Sequence, residues 1–320
     1  MNFDLSPETH QIVAQLSKWN DSDRESLGKP AFSSRDWNNF LSFGVMDLAQ
    51  DAGATLEFAS ILIEAGRRAF PGPVLEAHLA VRSGSKDAID ALNKGLVVTS
   101  VPRVTKSGPQ LVPWGAVADL VVEQETGRTL STGPLPAVKM AYPLHAGWLT
   151  REGPSGDAAM DISAARWALS AAAVAGLGRA AVEMARSYAL TRIAFGNPIA
   201  AQQSLQHRLV EAHVMIEAAR LGALDAAWRD GSGDITGRTA GALAWLWAAR
   251  AGERVRRHVH QVYGALGFCY ETGLVKLTWQ MDLIRLEMRR DAAIAQVTSH
   301  RDLGSTDPVV NVLAGYRHAA

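Results

Sequence analysis

The feature that most constrains this chain is a run of small and apolar residues from about 162 onward that is far too long for a strand. Residues 162–193 keep helical periodicity and are crowded with Ala171, Ala172, Ala173, Ala175, Gly176 and Gly178. The breaker Gly196-Asn197-Pro198 stops the run, and further breaks fall at Gly231-Ser232-Gly233-Asp234 and between Gly264 and Gly273. The spacing predicts helices at about 162–193, 201–229, 234–264 and 274–298. Long helices with short connections run nearly antiparallel, and small residues let their backbones approach, so a C-terminal four-helix bundle is expected. Trp228, Trp245 and Trp247 fall on these helices, as core residues or as interface anchors. Arg166 and Arg179 interrupt the apolar run 164–182, which therefore reads as a buried helix rather than a membrane span.

The first 90 or so residues also read as helical. Ser6-Pro7-Glu8 is an N-cap followed by proline, Ser33-Ser34-Arg35-Asp36-Trp37 opens a second helix, and 55–70 forms a third with Leu56, Ala59, Leu62, Ile63 and Gly66 on one face. Between 95 and about 155 the pattern changes to short β-like runs at 96–99, 110–112, 119–122 and 137–140, separated by Gly and Pro. A small antiparallel barrel or sandwich is the expected middle unit. The division expected is 1–93 helical, 94–160 reduced β, 161–303 bundle and 304–320 a poorly ordered tail.

Charge excludes several functions. Lys+Arg and Asp+Glu are both 32, so no basic excess points to nucleic acid or to an anionic membrane. Cys269 is the single cysteine, which rules out an internal disulfide or a four-cysteine metal site and agrees with a cytoplasmic location; it reads as a buried, inert thiol. The N-terminus lacks a basic segment followed by an apolar one, so secretion is not expected. His207 and Glu211 lie four apart on a helix without a third metal ligand, and His258 and His260 diverge, so no metal site is expected.

Two short patterns carry chemistry. The first is Tyr188-Ala189, Arg192, Phe195-Gly196, Ile199 and Gln203, which sets a cation at one helix end and an amide at the start of the next. The second is Gln261-Val262-Tyr263-Gly264-Ala265-Leu266-Gly267-Phe268, where glycines permit close approach of backbone amides to a phosphate or ribose. Together they resemble the Y-A-x-x-R-x-x-F-G-x-x-I-x-x-x-Q and Q-x-x-G-G-x-G-F signatures of the acyl-CoA dehydrogenases, with Ala265 replacing one glycine. Glu64-Ala65-Gly66-Arg67 and Pro71-Gly72-Pro73 resemble that family more loosely.

The resemblance implies a mainly α fold with a small β middle domain. It also implies FAD, an acyl-CoA substrate, and oxidation of the acyl group between its α and β carbons. In the family both signatures touch the ADP half of a flavin held mainly by a neighbouring subunit. Carried over, Arg192 partners the pyrophosphate, Phe195 packs near the adenine, and Gln203, Gln261 and Gly264 make polar or close contacts. The family's base is a glutamate at one of two places. The first is seventeen residues after the position of Glu271, which falls on Met288; the second is twenty-nine before Phe195, which falls on Arg166. Neither can accept a proton at ordinary pH. Glu271 and Glu287 remain as substitute bases. The family's flavin-ring loop, of T-E-P-x-A-G-S type, is also missing, with 99–103 in roughly its place.

A chain that resembles the flavin-clasping surfaces but lacks base and ring loop is expected to be a shortened, non-catalytic subunit. It would pair in an α2β2 heterotetramer with a larger acyl-CoA dehydrogenase chain, similar to bacterial enzymes of steroid side-chain catabolism, with an electron-transferring flavoprotein as acceptor. The rivals are a self-sufficient dehydrogenase with an unorthodox base and a structural homologue without cofactor.

Overall fold

The computed structural model of the chain describes residues 5–18, 32–102, 108–138, 145–151, 160–287 and 290–299. Its N-terminal helices are α1 (Pro7–Ser17), α2 (Ser34–Leu41), α3 (Thr55–Arg67), α4 (Val74–Arg82) and α5 (Lys86–Asn93). Their starts follow local chemistry. Ser6 accepts from Thr9 N at 3.2 Å ahead of Pro7, and Ser33 accepts from Asp36 N at 3.3 Å, each satisfying an otherwise unpaired amide. Trp37 is fully buried and its Nε1 donates to Leu96 O at 3.1 Å, tying α2 to the segment that enters the middle region.

That region holds β1 (Val98–Val101), β2 (Gly108–Val112), β3 (Leu120–Glu123), β4 (Thr129–Thr132) and β5 (Gly147–Arg151). Its described strands do not join in one antiparallel barrel or sandwich of the kind the sequence predicts. One sheet has the order β1-β3-β4, with β1 and β3 parallel; β2 and β5 pair separately as an antiparallel ribbon. The reason lies in burial. Every residue of β1 and β3 is buried, as expected of strands covered on both sides, and β1 packs directly on α4. The polar β4 and the β5 segment carry little hydrophobic signal and were not anticipated. Of the expected run at 137–140, only a bridge from Ala137 to Gly147 forms, and 139–140 lie outside the described residues.

The C-terminal part contains α6 (Ser163–Thr191), a hairpin of β6 (Ile193–Ala194) and β7 (Asn197–Pro198), then α7 (Gln203–Gly231), α8 (Gly237–Tyr263), α9 (Leu274–Glu287) and α10 (Arg290–Ser299). The expected fourth helix, 274–298, is helical over Leu274–Glu287 and Arg290–Ser299; positions 288–289 lie outside the described residues, as does the 304–320 tail. α6 is the central element and packs on α3, α7, α8 and α9. A Cβ on Gly176 would collide with Ile63 O, and one on Gly66 would meet Leu177 N at 2.9 Å, so glycines set the α3–α6 crossing. By length and composition α6 could cross a membrane, yet 83% of its apolar window is buried inside the fold. Trp245 is a core residue at 1% exposure and Trp228 is partly buried. Trp247 is 39% exposed, its Nε1 donating to Met215 O at 3.4 Å.

Candidate functional site

The two signatures meet at one end of the bundle. α6 stops at Arg192, whose amide closes on Tyr188 O at 2.8 Å while its own backbone turns extended. The chain then folds back through Phe195 (φ 54°) and Gly196 (φ 82°). Two consecutive positive φ angles are the requirement of a tight two-residue hairpin, which costs a phenylalanine strain that glycine escapes. Ile199 N bonds back to Arg192 O at 2.9 Å, and Gln203 opens α7 immediately afterwards. Arg192, Gln203 and Phe195 are exposed, Phe195 by 95%.

The second signature begins on the last turn of α8. Gln261 is exposed there, and Gly264 takes φ 60°, ψ −141°, a conformation open essentially only to glycine. Ala265 is absent from the positive-φ residues, which explains why a side chain is tolerated in place of the family's glycine. Tyr188 and Tyr263 join the two signatures through stacked rings, 4.2 Å between centroids and 12° between planes, and Tyr263 Oη donates to Met184 O at 3.4 Å. Burial, and then the nearby Tyr188, raise the Tyr263 phenol above its usual range. The exposed rim here carries Leu190, Ile193, Leu266, Phe268 and Tyr270.

The region where the resemblance places the ring loop and the alternative base is filled. Thr99 and Ser100, at the place of the family's ring loop, are fully buried and spend their hydroxyls internally. Thr99 Oγ1 donates to Pro113 O at 2.7 Å and Ser100 Oγ donates to Glu76 O at 2.5 Å. Gln124 Nε2 donates to Ser100 Oγ at 3.2 Å, and Arg166 Nη1 pairs with Glu125 Oε1 at 2.5 Å. The position of the family's alternative base is therefore an ion-paired cation. Glu76, Gln124, Arg166, Ser170 and Ile284 surround a cavity of about 10 Å³, room for no more than one water. Burial pushes the Glu76 carboxyl up to about 7, against a backbone hydrogen bond that lowers it.

Of the two substitute bases, Glu271 is not brought to this cavity. Glu271 is exposed on a 3-10 turn beyond the glycine loop. Met288 and the Glu287 side chain lie outside the described residues. Arg103 does too. Cys269 is exposed rather than buried, because the turn after Gly267 carries it onto the surface, where Sγ lies 3.9 Å from Ala265 O. His258 and His260 do diverge: His258 Nε2 lies 3.2 Å from Glu211 Oε2, and His260 Nε2 lies 3.1 Å from Thr278 Oγ1. Burial holds both imidazoles below their ordinary range, Glu211 partly opposing this at His258. Among the described residues no group of three potential ligands could hold a metal.

Sequence reasoning missed Glu76 and Gln124. The available signal was a glutamate within Val74-Leu75-Glu76-Ala77-His78-Leu79, a stretch of α4 that is buried on every side.

Comparison with known proteins fits this geometry. Residues 157–295 match the acyl-CoA dehydrogenase C-terminal domain. IpdE2, an acyl-CoA dehydrogenase of Mycolicibacterium smegmatis, is 26% identical over 258 residues, covering 77% of this chain and 75% of that protein. Residues 157–295, the bundle of this chain, thus carry the acyl-CoA dehydrogenase C-terminal domain. Its fold matches the ChsE4–ChsE5 complex from Mycobacterium tuberculosis (TM-score 0.71, 19% identity, 96% of this chain and 100% of the other). It also matches a Tcur3481–Tcur3483 steroid acyl-CoA dehydrogenase variant (0.67, 19%, 98% and 97%) and PigA with FAD and proline (0.68, 16%, 93% and 98%). Likeness at these identities establishes the fold alone.

Proposed function

We propose that this acyl-CoA dehydrogenase homologue is the shortened, flavin-clasping subunit of an α2β2 dehydrogenase whose larger chain supplies the base. The observation that carries this reading is the contrast between its two halves. Arg192, Phe195, Gln203, Gln261 and Gly264 form an open, solvent-facing end, while Thr99 and Ser100 at the ring-loop place and Arg166 at the alternative base position are held by internal bonds.

FAD fits one end of this chain and not the other. Exposed Arg192 suits a pyrophosphate, since a guanidinium offers charge-assisted hydrogen bonds, and Gly264 leaves backbone amides approachable. Thr99 and Ser100 are already committed as donors, and a cavity of about 10 Å³ admits no isoalloxazine ring. When bound, a flavin supplies the hydride acceptor for α,β-dehydrogenation of an acyl-CoA. This chain's part is to hold the ADP end and shield it from water. The two-component neighbours support a partner subunit, and the steroid enzyme among them supports a bulky acyl group. A cytoplasmic location and an electron-transferring flavoprotein as acceptor belong to the same proposal.

The test is to purify the chain alone and together with a full-length dehydrogenase subunit, and to record visible spectra and activity. The expected result is no flavin absorbance alone, and one flavin per pair of unlike chains in the complex. A yellow, active preparation of this chain by itself would overturn the reading.

A further inference from the structure

The imidazole of His260 lies between α9 and the glycine turn and has no role in the reading so far. It is buried on the last turn of α8, and its Nε2 lies 3.1 Å from Thr278 Oγ1 on α9. The Thr278 hydroxyl donates to Val275 O at 3.3 Å, so its oxygen is left to accept and Nε2 carries the ring proton. Nδ1 then holds a bare lone pair, and it has no partner among the described residues.

The same ring is the floor of the turn Gly264–Phe268. Phe268, mostly exposed, lies on the imidazole with 4.6 Å between ring centroids and 32° between planes. Gly267 is buried against it, where a Cβ would meet His260 Nδ1 at 3.0 Å and Tyr263 Cβ at 3.1 Å. Two charges act on the imidazole, Arg256 from α8 and Asp282 from α9, and the turn itself carries none. Asp282 is already met by Arg256 at 3.4 Å and by Arg285 at 2.7 Å, so an imidazolium would find no carboxylate of its own. A second ring proton would be set beside Gly267 with no acceptor to meet it, which costs the full desolvation of the charge.

We propose that the uncharged His260 imidazole is the positioning residue of the glycine turn: tied to Thr278, it fixes where Gly267 and Phe268 sit and so where Gly264 presents its backbone. His260 itself touches no ligand. The proposal rests on the flavin-clasping reading and names the group that stands behind the clasp. A docked turn that demands a neutral ring makes docking depend on pH. Burial, then Arg256, holds the His260 imidazole below its ordinary 6.5, with Asp282 opposing, so the open turn binds the proton more readily than the docked one. Docking is at full strength above that ordinary value and weakens as pH falls below it, by up to ~10-fold per pH unit until the docked imidazole itself titrates.

The experiment measures hydrogen exchange on the purified full chain between pH 5 and pH 7, corrected for the intrinsic pH dependence and referred to amides at the centre of α6. The reporter is the Cys269 amide, which closes the turn by bonding to Leu266 O at 3.0 Å. Its opening constant should rise several-fold on acidification in the wild type and in His258→Gln. It should stay flat in His260→Gln, which keeps a donor for Thr278 but cannot titrate. A flat wild-type profile overturns the proposal, as does a rise that survives in His260→Gln or vanishes in His258→Gln; the wild-type and His258→Gln profiles decide even where His260→Gln fails to fold. In the assembled complex His260→Ala should lower flavin affinity ~10-fold, the worth of one hydrogen bond and one ring contact, and His260→Gln should recover part of it. Unchanged affinity in His260→Ala, where Arg192→Ala does lower it, also overturns the proposal. Failure of the parent reading looks different, since flavin would then be held equally well with Arg192→Ala while the exchange profile still followed His260.

Discussion

Replacing Glu76 with glutamine should stabilise the protein at alkaline pH and barely change it in acid. Glu76 is fully buried in α4, where α4, β1 and α6 meet, and its carboxyl is raised from 4.5 to about 7. A raised carboxylate pKa means the folded chain binds a proton that the unfolded chain releases, so stability falls as pH climbs between those two values and then levels off. At 1.36 kcal/mol per unit the full penalty is about 3 kcal/mol above pH 7. It is about 1 kcal/mol at pH 5, so the gap between wild type and Glu76→Gln should widen by about 2 kcal/mol between pH 5 and pH 8. The comparison is made by urea unfolding of both proteins at each pH, because differencing removes the contribution of His78 and the other titrating groups. Glutamine keeps the carbonyl oxygen that accepts from the backbone, so the packing is preserved. A gap equal at both pH values, or wider at pH 5, would refute the assignment of Glu76 as a neutral acid buried without compensation.

Arg192→Ala should weaken flavin retention in the assembled complex by about 1.5–3 kcal/mol, the usual worth of a charge-assisted hydrogen bond; unchanged flavin content by absorbance would reduce Arg192 to a helix-end cation. Arg166→Glu restores the family's residue at the alternative base position but should yield no activity. It should cost ~3 kcal/mol or more in a denaturation series, because it sets a third carboxylate beside Glu125 and Glu76. His78 is stacked on Phe58 at 3.6 Å with both ring nitrogens unpartnered among the described residues, and burial, with Arg82 adding to it, lowers its pKa to about 3. Its depressed folded value means stability is lost as pH falls below the ordinary 6.5; His78→Phe should therefore gain ~1 kcal/mol near neutrality and flatten the acid limb of a Tm-against-pH curve.

How much could be read from the sequence depended on the range of the interactions. The α6 stop, the Phe195-Gly196 turn and the Gly264 turn are local backbone events, written in glycine, proline and helical spacing, and each lies where the sequence places it. Strand pairing and the buried polar seam are not local. Ser100 reaches Glu76 across 24 positions and Arg166 reaches Glu125 across 41, so no periodicity within either segment announces the bond. The parallel β1–β3 pairing is hidden for the same reason, since β2 intervenes and belongs to another sheet. Cys269 shows the limit of residue-type averages: a thiol is usually buried, but this one rides a turn whose direction is set by Gly264 and Gly273, both at positive φ.

The phenylalanine at the hairpin tip has a consequence for how such a chain survives in a cell. Phe195 at 95% exposure, with Ile193 and Leu190 above half exposed and Phe268 on the neighbouring turn, makes one end of the folded molecule adhesive. A copy released from the ribosome with nothing seated there would offer that end to chaperones, to proteases and to other copies of itself. Under the proposed pairing, matched synthesis of the two subunits becomes a condition of solubility as well as of stoichiometry, and surplus copies of this chain would be the first cleared when supply falls out of step.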